Sequence, residues 1–532
     1  MPRFIGYALA LFIVIPLTLT TSTAQSNKPK LVRDPGSVMP ENKVPGTIES
    51  TARRLTHQLE AQGYAVTRGY AKLYTEADCD ASYAIMHTCY SNNPAAPYVM
   101  PVFPTWPDEW LDPELAKGVF GPTHEGYSTT FRLDPREAIV ILGRMPPPAR
   151  YFGLQTNVFT RQGDYIKESE PYEFLFGHQM TWLLNMFFAY LPWGDETRVQ
   201  LLSSVGNSVN HVVIQDASGK VFDEDRYFIT TPDRFMEEAV REAFSRIRVD
   251  DADIFTEPID RTLRVGLDKA SDDFYTLIRY AMPGPKHEAA SAAWRANLPL
   301  VVLRVRDPRT DRQPVPFDQV KTDERMAGEP PEVALAPELE SLADTVCERW
   351  NQPCNQQAMV LNVQMRPISM IGPTCIGIGM NCLADTQDTV YHFSSRLPLD
   401  SDLVYAVVGA LSTKTGHATY VGLGVNATRR QQGIDNVSDD LLEGSAADYA
   451  AAVSDPDKFF VYYFARDCTR LDSWAATHCR SIPESAIPDY DPNDPDPDLL
   501  NFSLRDYVFP GTARGADPEF SLSPKVITLK RQ

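Results

Sequence analysis

The sequence predicts an α+β, β-dominated fold: two related antiparallel β lobes, an internal duplication, with peripheral helices. Three observations predict it. A strand-rich stretch occurs twice, at residues 127–163 and 391–433. Each copy holds an apolar run ending at a glycine, followed by a second run of strand-favouring residues. A close pair of cysteines precedes each copy. Self-similarity on this scale outranks local signals, because one supersecondary unit used twice constrains the whole architecture.

The first copy reads YSTTFRLDPREAIVILG and ARYFGLQTNVFTRQG; the second reads YHFSSRLPLDSDLVYAVVG and ATYVGLGVNATRRQQG. Matching them places Tyr127 on Tyr391, Arg132 on Arg396, Gly143 on Gly409 and Tyr151 on Tyr420. Gly153 then falls on Gly422, Asn157 on Asn426 and Gly163 on Gly433. The length differences lie between these anchors, where loops accept insertions cheaply. Runs 138–142 and 403–408, each followed by a turn and a mixed run, read as hairpins or meanders with the shared glycine at a turn or bulge. Arg132 and Arg396 are expected to do one structural job twice, tying carbonyls or a carboxylate at a strand end.

Taken in order, residues 1–24 combine one Arg, an apolar run and small residues Ser22 and Ala24, the makeup of a cleaved signal peptide. A Pro- and Lys-containing leader, 25–46, follows. The first lobe is expected at 47–306. It opens with a helix at 50–62, whose apolar face is marked by Leu55 and Leu59, and Gly63 stands where a cap belongs. A strand at 64–74 enters the first cysteine pair. Thr231-Pro232-Asp233 starts a helix carried on by Phe235, Ala239, Ala243 and Ile247. A helix at 287–295 leads into a strand at 298–306. Residues 307–336, charged and rich in Pro, read as a linker. The second lobe, 337–532, begins with a helix at 337–350, and later has a short helix at 446–453 and a strand at 458–466.

The formal charge of −20 repels phosphate backbones and anionic headgroups, so nucleic acid and membrane surfaces are poor partners. Eight cysteines in an exported chain read as disulfides. Short loops close at least entropic cost, so the expected pairs are local: Cys79 with Cys89, Cys347 with Cys354, Cys375 with Cys382, and Cys468 with Cys479.

Only the first copy carries an uncharged aromatic segment, FLFGHQMTWLLNMFFAYLPW at 174–193. Its composition suits a buried core helix. The same rings would line an apolar pocket, and Trp182, Phe187, Phe188 and Trp193 are the ligand-binding residues the sequence nominates. Ser208 and His211 are the catalytic candidates, yet no G-x-S-x-G elbow surrounds the serine. Alternating Asp489, Asp491, Asn493, Asp496 and Asp498 offer oxygens of the kind calcium takes, without the glycine or the closing Glu of an EF-hand. No other cofactor signal is present in the sequence. The reading that results is a secreted or periplasmic two-lobe protein binding a small molecule, polymer or protein through the aromatic insertion. An extracellular hydrolase using Ser208, with His211 or His178 as base, and a structural cell-surface protein are the alternatives.

Overall fold

In the first half, β4 (Glu137–Arg144) is buried on both faces, which is why its sequence is a continuous apolar run rather than an alternation. Ala138, Val140 and Leu142 lie under the helices Gly46–Ala61 and Arg234–Arg246. Ile139 and Ile141 face the opposite way, onto Phe152, Leu154 and Val158 of β5 (Tyr151–Gln162). The result is helix, sheet and second sheet layer. The computed structural model describes residues 46–163, 197–359, 364–365 and 371–531. The fold is mixed α+β and β-rich, as the sequence predicts.

The remaining strands of the first half are β1 (Ala65–Leu73), β2 (Val99–Pro104), β3 (Tyr127–Ser128), β6 (Arg198–Ser204), β7 (Val209–Asn210), β8 (Asp225–Thr231), β9 (Ile254–Pro258), β10 (Asp273–Ala281) and β11 (Leu300–Arg306). They form one curled sheet in the order β6-β5-β10-β2-β1-β11-β4-β8-β9, with β3 on β2 and β7 on β5. Gly69 marks the corner where β1 leaves β11 and takes up β2. A Cβ there would sit 2.0 Å from the Val102 carbonyl oxygen.

The second half contains β12 (Asn355–Ala358), β13 (Thr389–Phe393), β14 (Leu403–Ala410), β15 (Tyr420–Ala427), β16 (Gln432–Ser438), β17 (Phe459–Ala465), β18 (Cys479–Ser481), β19 (Leu500–Tyr507) and β20 (Lys525–Lys530). Its sheets run β12-β20-β14-β17-β18 and β13-β19-β15-β16. Ladder by ladder this is the order of the first half, with the β1–β2 join missing. Val140 pairs with Ile229 and Leu303, and Ala406, at the matching place, with Tyr463 and Ile527. Among the described residues each half also has one parallel ladder, β8 with β9 and β17 with β18. The helix Ala336–Arg349 covers Val404, Ala406 and Val408 as its counterparts cover β4. The described residues form one compact unit, so the halves are not separate bodies.

All four local disulfides are present. Among the described residues no helix is long and apolar enough to cross a membrane. The helix expected at 231–247 is capped by Asp233, which accepts from the Phe235 amide at 3.2 Å. Phe235 itself points outward under Arg312, and Met236, Val240 and Phe244 complete the buried face instead. Residues 447–449 form a single 3-10 turn rather than a helix.

Four expectations need correction. The runs in each copy are not hairpins: β4 pairs with β8 and β11, while β5 pairs with β6 and β10. The connection 145–150, MPPPAR, carries the chain from one sheet layer to the other, and its prolines suit a crossing better than a tight turn. Gly143 and Gly409 lie inside paired strands, where Cβ atoms would strike Leu300 and Phe460. Arg132 and Arg396 are not equivalent, because the Phe131–Phe274 and Leu397–Leu500 bridges set the copies two residues out of that match. Arg132 is buried against Asp273, while Arg396 is exposed. Residues 307–336 are an ordered strap: Arg312 pairs with Asp233 at 2.6 Å, and Arg325 donates to the Thr389 and Ala516 carbonyls at 3.1 Å.

Candidate functional site

The two halves meet through matching devices. Beyond the Cys79–Cys89 and Cys375–Cys382 disulfides the backbone turns left-handed twice, at Tyr90 and Ser91 (φ 58° and 45°) and at Leu383 and Ala384 (φ 54° and 57°). The disulfide holds the loop while these residues adopt a conformation that side chains disfavour. Each loop is fastened to the other half. The Cys89 and Ser91 amides donate to the Arg430 and Gln431 carbonyls at 2.7 Å. The Cys382 and Ala384 amides donate to Leu201 and Leu202 at 2.7 and 2.9 Å.

Between the loops lies a narrow recess of about 40 Å³. Its two arginines come from strands at matching places in the sheet orders. Arg279 on β10 stands opposite Gly153, and Arg505 on β19 stands opposite Gly422. The glycines leave room for tyrosine hydroxyls: a Cβ at Gly153 would meet Tyr151 Oη at 2.4 Å, and one at Gly422 would meet Tyr420 Oη at 3.2 Å. Tyr98 and Tyr391 form a second matching pair, since Val99 faces Ile278 and His392 faces Leu504 in the same register. Tyr90, Phe393 and Tyr507 complete an aromatic wall. Both Tyr151 and Tyr420 pack on Tyr507, with ring centroids 4.5 and 5.0 Å away.

The guanidiniums are buried, 5% exposed for Arg279 and 4% for Arg505. Arg505 Nη2 donates to the Ser91 carbonyl at 3.0 Å, and Arg279 Nη1 reaches Tyr391 Oη at 3.5 Å. Arg279 Nε and Arg505 Nη1 have no hydrogen-bond partner among the described residues. Burial pushes the Tyr98 hydroxyl up to about 12, against the opposing pull of Arg279 and Arg505. It is therefore neutral at ordinary pH, and it donates to the Tyr90 carbonyl at 3.4 Å.

The nominated residues lie elsewhere. Trp182, Phe187, Phe188 and Trp193 are outside the described residues, as are His178 and the signal segment. Ser208 is buried and donates to Gln155 Oε1 at 2.6 Å. His211 lies edge-on to Tyr151, its Nδ1 without a partner among the described residues and its pKa lowered by burial. No hydrogen bond joins Ser208 to His211 among the described residues. In the acidic tail, Arg429 pairs with Asp494 at 2.9 Å and its amide donates to Asp498, while Asp489 pairs with Arg466. Asp491 accepts from the amide of Asn493, and Asp496 lies 3.7 Å from Arg429. Among the described residues no three His, Cys, Asp or Glu side chains converge as metal ligands.

Beside Ser208 sits a buried acid of another kind. Glu257 accepts from the Thr156 amide at 2.7 Å, from Thr230 at 3.1 Å and from Gln155 at 3.3 Å. Burial, against those hydrogen bonds, pushes its carboxyl from 4.5 up to about 7. The folded state thus binds this proton more tightly than the unfolded chain. The group costs nothing below the unfolded pKa, and stability falls as pH rises from about 4.5 to about 7. At about pH 8, Glu257→Gln should be the more stable protein by up to about 3 kcal/mol, converted at about 1.4 kcal/mol per unit. Urea midpoints at about pH 4.5, where the two should coincide, and about pH 8 check this. A variant equally or less stable at the higher pH would refute it.

No family model matches the chain, and no curated protein matches it. Among solved structures, the chain is similar to a protein of Vibrio parahaemolyticus, at 8% identity and a TM-score of 0.34 over 91% of this chain and 96% of that one. It is also similar to an uncharacterised protein of Burkholderia cenocepacia, at 12% identity and a TM-score of 0.32, again over 91% and 96%. Likenesses this loose name no function, and the geometry is left to speak for the site.

Proposed function

We propose that this is an exported binding protein built by internal duplication, and that it takes up a small molecule in the recess between its halves. One observation carries the reading: residues at matching places in both halves, Tyr98 with Tyr391 and Arg279 with Arg505, converge on a single recess. A ligand site at the junction of two packed units, lined by rings and a few polar groups, is the usual arrangement. The four disulfides suit an oxidising compartment, and residues 1–24 suit the route to it. Ligand-detected NMR of a small-molecule mixture, with the wild type and a Tyr98→Ala/Tyr391→Ala variant, tests it. Molecules bound by the wild type and lost from a folded variant are expected. Binding of the same molecules by both proteins would remove the recess from consideration.

A further inference from the structure

Resting on the recess as a binding site, we infer that its ligand is an organic carboxylate on a flat apolar body, held through Arg279 and Arg505. Neither guanidinium lies within ion-pair distance of a carboxylate among the described residues, although other buried arginines do, such as Arg132, Arg198 and Arg304. A buried cation without a counter-ion is strongly unfavourable, and Arg514, also buried without an ion pair among the described residues, is at least held by the Gln387 and Asp323 carbonyls. The acids nearest the recess are already engaged. Asp385 accepts from the amide and hydroxyl of Ser204, from the Gly372 amide and from Gln387. Asp388 accepts from Tyr151 and Asn210.

Two cations in one recess favour an anion, and the planar guanidiniums favour a flat one. Arg279 and Arg505 line the recess with planar forks, the geometry that carboxylate oxygens satisfy, and Arg279 Nε and Arg505 Nη1 are buried without a partner among the described residues. The neutral Tyr98 hydroxyl, which donates to the Tyr90 carbonyl at 3.4 Å, adds a polar group without adding charge. Around them the surface is aromatic, from Tyr90, Tyr391, Phe393 and Tyr507, which suits a flat apolar body better than a fully hydrated inorganic ion. The two-fold repetition of Arg and Tyr also explains why a pair of cations is present. Each half brings one, and the ligand occupies the seam.

Three probes separate the possibilities: benzoate, benzamide and inorganic phosphate, titrated into the full chain by calorimetry with thermal unfolding in parallel. Benzoate should bind and raise Tm, and the other two should not at the same concentration. Arg279→Met and Arg505→Met should each weaken benzoate at least about 10-fold, the loss of one charge-assisted contact. Arg279→Met should also raise the Tm of the ligand-free protein, since it removes an unpaired buried charge, whereas a structural arginine would lower it. Equal binding of benzamide would overturn charge recognition and leave the recess as a neutral-ligand site. Protection by phosphate in place of benzoate would overturn the carboxylate class. No binding of any probe, together with a lowered Tm for Arg279→Met, would make both arginines structural and end the inference.

Discussion

Replacing Asp273 with Ala destabilises the protein by about 3–5 kcal/mol, the expected penalty for leaving a buried charge unpaired. Asp273 is the shared counter-ion of two fully buried arginines. Arg132 Nη1 lies 2.5 Å from one oxygen and Arg198 Nη2 lies 2.9 Å from the other. Thr160 donates to the same carboxylate. Burial outweighs both guanidiniums and keeps the Asp273 carboxyl above its ordinary pKa, which shows how much desolvation the cluster absorbs. A carbonyl cage from Trp110, Asp268, Lys269 and Ser271 cannot replace the lost charge. Asp273→Asn, which keeps the acceptor and removes the charge, should fall between Ala and wild type. Urea denaturation gives both values. A loss under about 1 kcal/mol for Asp273→Ala would mean that the cluster reorganises or admits water.

Much of the frame was legible because it rests on local chemistry. The apolar runs became β4 and β14, the mixed runs became β5 and β15, and the four cysteine pairs closed over short loops. Tyr151-Phe152-Gly153 and Tyr420-Val421-Gly422 were read as matching, and their registers against β10 and β19 agree. What failed was anything decided by which strands meet. Arg132 and Arg396 share a sequence pattern, yet one is buried and the other exposed. Gly163 does not correspond to Gly433. Asn157 pairs with Ser204 as Asn426 pairs with Gly433, so the first-copy partner lies beyond the insertion.

The recess was missed altogether, although a signal for it exists. Arg279-Tyr280-Ala281-Met282-Pro283-Gly284 and Arg505-Asp506-Tyr507-Val508-Phe509-Pro510-Gly511 end their strands alike. Met282 and Val508 both take left-handed backbone, at φ 58° and 50°. Extending the repeat to these strands would have paired the two arginines. Nothing in either segment says that it returns beside a cysteine loop of the other half.

Arg304→Met should likewise cost about 3–5 kcal/mol, but Arg304→Thr combined with Glu137→Leu should cost clearly less than the two single changes added together. Arg304 Nε lies 2.5 Å from Glu137, and Nη1 lies 2.7 Å from Glu109. The same carboxylate of Glu137 accepts from Trp106 Nε1 at 3.1 Å. These partners come partly from the Pro- and Trp-rich stretch that the second half lacks. The second half performs the control. By ladder register Glu137 faces Arg306 as Leu403 faces Lys530, and Arg304 faces Ile139 as Thr528 faces Tyr405. The same strands therefore fold with Leu and Thr where the first half keeps an ion pair. A buried pair adds little net stability over apolar packing, whereas a broken one strands a charge. The double variant retains contacts for Glu109, which also accepts from the Arg132 and Trp106 amides. A double-mutant cycle by urea unfolding should give a coupling of at least about 2 kcal/mol. Simple additivity would mean that the pair is independent of its setting, and the comparison between halves would then explain nothing about it.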